Sequence, residues 1–284
     1  MTRTMTTPAL ILLLAAGVVS GKDLYTHQDL VETNQTAVLT ATGIPVEPGK
    51  KHGLSFTGRT DGAFTVEANE RIRLMNLRDA GSHVRIRFHD EQGNELKRAT
   101  IDVPVLSRDF HPYVRAFYPP LAARTLSLVL VPGKEATLAA RDISIRTDLQ
   151  GSEAECINTH PVFDAGDLNS YGYRPGYGGG FFTRPDGKTV WNSGFTGTTP
   201  FIPVRGDTFY DFQCRGRKGE PKSFIYLQCY QSEDSKPFKT MKYDVSETGA
   251  IARFKMPAGT VAAQLTCYYV IIEELRVVES ARQD

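Results

Sequence analysis

One stretch of the sequence concentrates the side chains best suited to holding a ligand. Residues 171–200 are rich in both glycine and aromatic residues. Glycine is unfavourable within helices and strands, so this segment is expected to be a long loop, and long loops are often functional. Exposed rings there would stack on the apolar C–H faces of a sugar, or else seal the end of a domain. The predicted ligand-binding rings are Tyr171, Tyr173, Tyr177, Phe181 and Trp191, and Phe182 and Phe195 lie in the same segment.

Four arginines at alternate positions on two segments, Arg71, Arg73, Arg85 and Arg87, form a second candidate site, of which Arg85 and Arg87 are the predicted ligand-binding pair. Residues 83–89 alternate between apolar and polar side chains, which is typical of a strand with one face on the core. Arg85 and Arg87 therefore point outward. A guanidinium group binds carboxylate or sulfate in a bidentate manner, so we predict that they contact an acidic glycan. A solvated sheet face explains the same pattern.

Motifs for metal binding and catalysis are weak. Asp164, Asp167 and Asn169 offer oxygen atoms that calcium accepts, although turn formation accounts equally for these residue types. None of the six histidines lies in a recognisable metal or nucleophile motif. We therefore predict a protein that is not an enzyme and needs no cofactor, with a weak calcium site as the one exception.

The four cysteines are Cys156, Cys214, Cys229 and Cys267, all in the second half of the chain. Four cysteines allow three pairings, and the sequence does not choose among them. Cys214, Cys229 and Cys267 lie on predicted strands and should point inward. They either form a disulfide, which an oxidising compartment permits, or remain buried thiols.

The N-terminus predicts export. Residues 1–21 contain one charge, Arg3, and then an apolar run, ALILLLAAGVV, at positions 9–19. The run is shorter than the roughly 20 residues of a membrane span, and with small residues after it the segment is typical of a signal peptide. We expect a secreted or periplasmic protein with no transmembrane span. The formal net charge is only +1, which argues against a nucleic-acid partner.

Short alternating segments separated by turns fill the remainder of the chain, and no long segment has helical periodicity. This pattern predicts an all-β protein, with two tandem antiparallel β-sandwich domains of jelly-roll type after the signal peptide. The predicted boundaries are 1–21 for the signal peptide, 22–43 for an N-terminal lead-in, 44–149 for the first sandwich and 150–284 for the second.

A repeated motif indicates that the two sandwiches are copies of one module. Phe117-Tyr118-Pro119-Pro120 and Phe254-Lys255-Met256-Pro257 each precede a turn, an alternating strand and a closing strand. From Gly49 to Pro120 the first copy is 20 residues longer than the second from Gly206 to Pro257. The extra length fits an insertion around residues 64–77.

This order of turns and strands resembles the galactose-binding-like jelly-roll domains and carbohydrate-binding modules of secreted glycan-degrading proteins. The resemblance covers roughly residues 44–148 and 156–279 and is one of pattern, with no ligand motif to carry over. It implies a non-catalytic module that binds a glycan or polysaccharide, or one that only holds other domains together. The alternatives are a structural or assembly protein of the cell envelope, which docks onto another protein, and a hydrolase or lyase with an unrecognised site.

Overall fold

The computed structural model describes residues 22–61, 81–97, 99–105, 107–147, 176–185, 189–233, 235–244 and 250–280. Within these ranges the regular structure consists of antiparallel β-strands, and no helix occurs. The strands form two tandem sandwiches, which confirms the predicted fold class. Each sandwich has its own apolar core, one drawn from residues 44–145 and the other from residues 191–277.

The first sandwich packs two sheets together. Its strands are β1 (Lys22–His27), β2 (Val31–Asn34), β3 (Val38–Pro45), β4 (His52–Thr60), β5 (His83–His89), β6 (Ile101–Pro104), β7 (His111–Phe117), β8 (Thr125–Val131) and β9 (Thr137–Thr147). Sheet A has the order β1-β9-β4-β7, with β2 also paired to β9, and sheet B has the order β3-β8-β5-β6. Leu54 and Phe56 of sheet A and Ile86 and Leu128 of sheet B point into the core between the sheets.

The second sandwich is built in the same way. Its strands are β10 (Gly180–Thr183), β11 (Thr189–Asn192), β12 (Gly197–Thr198), β13 (Ile202–Pro203), β14 (Phe209–Lys218), β15 (Phe224–Tyr230), β16 (Lys239–Asp244), β17 (Ala250–Lys255), β18 (Ala262–Tyr268) and β19 (Val270–Glu279). Sheet C has the order β10-β11-β19-β14-β17, and sheet D has the order β12-β18-β15-β16, with β13 also paired to β18.

The pairing of strands supports the predicted duplication. In the first sandwich β4 lies between β7 and β9, and in the second β14 lies between β17 and β19. Likewise β5 lies between β6 and β8, as β15 lies between β16 and β18. Residues 61–82 join β4 to β5, whereas only residues 219–223 join β14 to β15. The predicted insertion falls in that longer connection, of which residues 62–80 lie outside the described part.

The prediction of an N-terminal lead-in at residues 22–43 is wrong. These residues form β1, β2 and most of β3, which pair with β9 and β8 of the first sandwich. Their sequence is mostly polar because few of their side chains face the core. Most of the residues of β1 and β2 are exposed or half-buried. The first sandwich therefore begins at least as early as Lys22.

The two sandwiches touch through a small apolar cluster. Tyr118, which follows β7, packs with Tyr230, Val261 and Ala262 of the second sandwich, and Phe201 lies against the same cluster. The rings of Phe201 and Tyr230 meet edge to face with centroids 5.1 Å apart. The domain boundary that the sequence predicts, between residues 149 and 150, lies outside the described residues and stays a prediction.

An ion pair reinforces this contact. The Arg115 guanidinium on β7 donates to the backbone oxygen of Phe201, at 2.9 Å, and also to the carboxylate of Glu233. The Arg115 and Glu233 side chains are only 12% and 11% exposed, so the pair is largely withdrawn from water. The contact between the sandwiches thus contains a charged pair as well as apolar packing.

Candidate functional site: an aromatic sheet face

Most of the predicted loop site is either outside the described residues or engaged in packing. Tyr171 and Tyr173 lie outside the described residues, as do Asp164, Asp167 and Asn169 of the predicted calcium site. Tyr177 is 84% exposed, as a ligand-binding ring requires. Phe181 lies on β10, where its backbone stands opposite Trp191 of β11.

Trp191 is fully buried, and this corrects the expectation of an exposed ring. It belongs to the core of the second sandwich together with Tyr210, Leu227 and Leu275. A Cβ atom added at Gly197 would lie 2.7 Å from the Trp191 ring, so the backbone passes directly over the indole. A sugar has no access to this ring, and the role of Trp191 is to fill the core.

Two glycines of the segment, Gly176 and Gly179, serve close backbone packing. A Cβ atom at Gly176 would lie 2.2 Å from the backbone oxygen of Thr196, and one at Gly179 would lie 2.6 Å from that of Asn192. No side chain fits at such distances. The two hydrogen bonds Gly176 N–H to Ser193 O and Gly179 N–H to Gly176 O, at 2.8 and 2.9 Å, fix the same arrangement. Close packing thus explains these glycines without a flexible ligand loop.

Arg85 and Arg87 point outward from β5 as predicted, but carboxylates already contact both. Arg85 makes a bidentate pair with Asp102, with Nε–Oδ1 and Nη2–Oδ2 distances of 2.7 and 3.1 Å. The Asp102 side chain is only 9% exposed. Arg87 lies 3.7 Å from a Glu95 oxygen. An acidic glycan would compete with these carboxylates, which makes the arginines a poorer site than the sequence indicated.

The cysteines of the described chain are free thiols. Cys214, Cys229 and Cys267 all point into the core of the second sandwich, which confirms their inward orientation, and they form no disulfide with one another. Cys156 lies outside the described residues. Burial raises the pKa of Cys214 to about 12 and that of Cys229 to about 11, and the pKa of Cys267 is also well above its ordinary value.

These thiols should be inert in the folded protein. Only the thiolate reacts readily with iodoacetamide, and a buried thiol with a raised pKa stays protonated at pH 8. We expect no alkylation of the Cys214, Cys229 or Cys267 peptides in the native protein, and full alkylation after unfolding, as measured by peptide mass spectrometry. Rapid native labelling of Cys214 would contradict this burial. Cys156 is followed separately, on its own peptide.

A set of half-buried rings lies instead on the outer surface of sheet D. Along β15, Ile225 and Leu227 point into the core, so Phe224 and Tyr226 face outward. Phe224 stands opposite Tyr268 of β18, and their rings stack at 4.3 Å with an interplanar angle of 24°. Tyr226 meets Tyr268 edge to face at 5.7 Å. Half-buried rings thus line the solvent side of two central strands.

Two further rings extend this surface at the end of β18. Phe195, 53% exposed, contacts Tyr268 and Tyr269 with ring centroids 6.0 and 5.8 Å away. Tyr269 is the single residue between β18 and β19. We call these five residues the aromatic face: Phe195, Phe224, Tyr226, Tyr268 and Tyr269.

The backbone of Tyr269 is held in a left-handed conformation, with φ of 52°. Bulky residues rarely adopt this conformation, which costs on the order of 1–3 kcal/mol unless neighbouring groups impose it. Here its carbonyl accepts from Gly219 N–H and from Ser223 Oγ, each at 2.6 Å, and its N–H donates to Gly194 O at 2.8 Å. These bonds fix the direction in which the Tyr269 side chain leaves the turn.

Polar groups continue the same surface toward the first sandwich. Gln228 of β15 stands opposite Gln264 of β18, and Tyr230 is the next outward residue of β15. Burial, with a smaller effect of Cys229, raises the pKa of Tyr230 to about 12, so its hydroxyl remains a donor. On the other side of β15, the Lys242 ammonium of β16 lies 4.5 Å from the centre of the Phe224 ring. The surface therefore combines stacking rings with hydrogen-bonding groups.

The sequence contains a pattern that indicates this surface, but it is weaker than the concentration of aromatic residues in 171–200. Phe224 and Tyr226 alternate with apolar residues in FIYL, and Tyr268 ends the alternating segment Ala262–Tyr268. Rings at outward positions of paired strands mark a platform, because an outward ring has no core to fill. Which strands pair, and so which rings meet, follows only from the fold.

Comparison with known proteins finds solved structures that are similar only at low sequence identity. No protein-family model matches the chain, and no curated protein matches it. Among solved structures, the tandem CBM22-1–CBM22-2 domain of Paenibacillus barcinonensis Xyn10C is similar at 11% identity, over 94% of this chain and 100% of that one, with a TM-score of 0.31.

Two further solved structures are similar over most of the chain. Carbohydrate-binding modules from the β-sandwich superfamily are 15% identical, over 87% of this chain and 97% of theirs, with a TM-score of 0.25. Allantoicase from Saccharomyces cerevisiae is 12% identical, over 92% of this chain and 90% of that one, with a TM-score of 0.21. The identities and TM-scores of these structures are low, and such similarities do not fix a function.

The part of the chain that the structure describes holds no cluster of three or more histidine, cysteine, aspartate or glutamate side chains arranged to bind a metal. It also contains no helix of the length and hydropathy needed to cross a membrane.

Proposed function

We propose that this chain is an exported, non-catalytic protein that binds a glycan on the aromatic face of its second sandwich. The observation that carries the proposal is the stacked pair Phe224–Tyr268 on the solvent side of sheet D. Export is supported by the apolar segment at residues 9–19 and the basic residue before it.

The chemistry of the face suits a sugar. A pyranose presents apolar C–H groups on its faces and hydroxyl groups around its edge, so it needs flat apolar rings with polar groups beside them. The rings of Phe224, Tyr226 and Tyr268 supply the first, and Gln228 and Lys242 supply the second. A connected group of outward-facing, half-buried rings on a sheet is also the kind of apolar patch that marks an interaction site.

Alanine substitution tests the role of the stacked pair. We expect Phe224→Ala and Tyr268→Ala each to weaken glycan binding by at least tenfold, which corresponds to about 1.4 kcal/mol. The melting temperature should change little, because both rings are only half-buried and leave no cavity in the core. The measurements are a glycan array, calorimetric titration of the glycans that score on it, and a melting curve for each variant.

Phe182→Ala is the matched control, since Phe182 is an exposed ring on β10 of sheet C, away from the aromatic face. It should bind as the unaltered protein does. Equal affinity for the Phe224→Ala and Tyr268→Ala variants and the unaltered protein would locate the glycan elsewhere. Binding of the unaltered protein to neither neutral nor acidic glycans would remove the proposed function altogether.

A second candidate is a structural or assembly protein of the cell envelope that docks onto another protein. The observation that favours it is the exposure of Tyr177 and Phe195, because exposed apolar rings also mark protein interfaces. This function predicts a protein partner in pull-down experiments and no signal on the glycan array. A hydrolase or lyase would instead release products from polysaccharides, which neither of these functions does.

A further inference from the structure

The glutamine in the middle of sheet D has an orientation that the surrounding hydroxyl groups determine. Gln228 lies on β15 between the outward residues Tyr226 and Tyr230. Its Oε1 atom accepts a hydrogen bond from Thr266 Oγ1 at 2.7 Å and lies 3.1 Å from the Tyr230 hydroxyl. Two hydroxyl donors on one oxygen turn the amide so that its Nε2 points away from both.

The Nε2 group of Gln228 forms no hydrogen bond within the described part of the chain. Gln264, directly opposite, differs. Its Nε2 donates to the Thr199 carbonyl at 2.9 Å, and its Oε1 lies 3.3 Å from the Tyr230 hydroxyl. Of the two facing amides, Gln228 is thus the one whose N–H donors form no hydrogen bond with the described residues.

The inter-sandwich contact holds one of the two positioning groups. The Tyr230 ring is only 6% exposed, because it packs against Tyr118 of the first sandwich and against Phe201. Its hydroxyl therefore meets Gln228 from a fixed direction. Thr266, 8% exposed, fixes the other side from β18.

We infer that Gln228 is the hydrogen-bond donor that selects the ligand of the aromatic face, and that Thr266 and Tyr230 are its positioning residues. The inference rests on the proposed function and names the ligand class more closely. Phe224 and Gln228 are four residues apart on one strand, or about 13 Å at 3.3 Å per residue. A ligand that stacks on Phe224 and accepts from Gln228 exceeds one pyranose ring, so it is an oligosaccharide with an oxygen acceptor at that distance.

Gln228→Glu is the sharpest variant, because a carboxylate still accepts from Thr266 and Tyr230 but has no N–H to donate. With cellohexaose, xylohexaose and mannohexaose as probes in calorimetric titration, we expect the best-bound hexaose to lose about tenfold or more in affinity. The melting temperature should be retained. Glucose, xylose and mannose should bind weakly to the unaltered protein and equally weakly to the variant.

Two more variants separate positioning from simple loss of contact. Gln228→Met removes the donors without adding charge, and it should lose affinity to a similar extent. Tyr230→Phe removes one positioning hydroxyl and should cost a few-fold in affinity for the hexaose, with the monosaccharides unaffected. As the pH falls below the ordinary glutamic acid pKa of about 4.3, the Gln228→Glu side chain gains an O–H donor and should recover affinity, while Gln228→Met should not.

The results separate this inference from the proposed function. If Gln228→Glu and Gln228→Met bind the hexaose as tightly as the unaltered protein while Phe224→Ala does not, the aromatic face stands and the role of Gln228 is wrong. Tight binding of a monosaccharide would also overturn the oligosaccharide requirement. If the unaltered protein binds none of the probes and no arrayed glycan, both proposals are wrong.

Discussion

Replacement of Trp191 by alanine is expected to lower the free energy of unfolding of the second sandwich by about 3–5 kcal/mol. The ring is fully buried among Tyr210, Leu275 and Val277, and the backbone at Gly197 passes directly over it. Gly197 has no side chain that could move into the space left by the indole, and the closely packed backbone around Gly197 has little freedom to shift into that space. Most of the cavity should therefore remain, which is what makes such a substitution costly.

Chemical denaturation followed by circular dichroism measures this loss, and fluorescence tests the burial independently. Trp191 is the only tryptophan, so the native emission should be blue and should shift to the red on unfolding. Addition of a bound glycan should leave the emission unchanged, since the ring is not part of the aromatic face. Trp191→Phe is the control and should cost clearly less than alanine. A red native emission or a loss below 1 kcal/mol would contradict the burial.

Replacement of Arg115 by alanine is expected to lower the free energy of unfolding by about 3–5 kcal/mol, because it removes the guanidinium that pairs with the largely buried carboxylate of Glu233. The same change also removes the donor to the Phe201 carbonyl. The loss should fall on the contact between the sandwiches. We therefore expect the two sandwiches to melt in more clearly separated steps in the variant, as measured by differential scanning calorimetry.

The matched control replaces both charges by apolar side chains, as Arg115→Met with Glu233→Leu. Exchange of a buried pair for apolar residues is often neutral or stabilising, so the double variant should recover most of the loss. If Arg115→Ala melts as the unaltered protein does, the ion pair contributes nothing to the contact. If the double variant is as unstable as the single one, packing of the aliphatic part of the Arg115 side chain contributes more to stability than its charge does.

The repeat and the fold class were accessible from the sequence because they depend on local patterns. Alternation along residues 83–89 and in the segment Ala262–Tyr268 specifies which side chains face a core, and the shared proline-ended motif indicates two modules. Residues 22–43 escaped prediction because β1 and β2 place few side chains in the core. A strand stabilised mainly by its hydrogen bonds to β9 has little apolar periodicity to detect.

The candidate site was harder to predict from the sequence, because the number of aromatic residues in one segment does not show which of them face solvent. Trp191 is in the densest segment, yet it fills the core, and the glycines around it allow backbones to touch. The aromatic face brings together Phe195, Phe224 and Tyr268, which are far apart in the sequence. Pairing between β15 and β18 makes them neighbours, and no pattern within one segment contains that information.

The one-residue connection at Tyr269 bears on how the protein would withstand mechanical load. If a glycan on the aromatic face tethers the protein to a surface, tension enters through β18 and reaches β19 across a single residue. A connection of one residue cannot lengthen under tension. The Tyr269 carbonyl and N–H already form hydrogen bonds with Gly219, Ser223 and Gly194. Force would pass directly into β19, whose pairing with β14 extends from Val270 to Glu279. The site is thus joined to the most extensively bonded strand pair of its sandwich, an arrangement suited to an anchor.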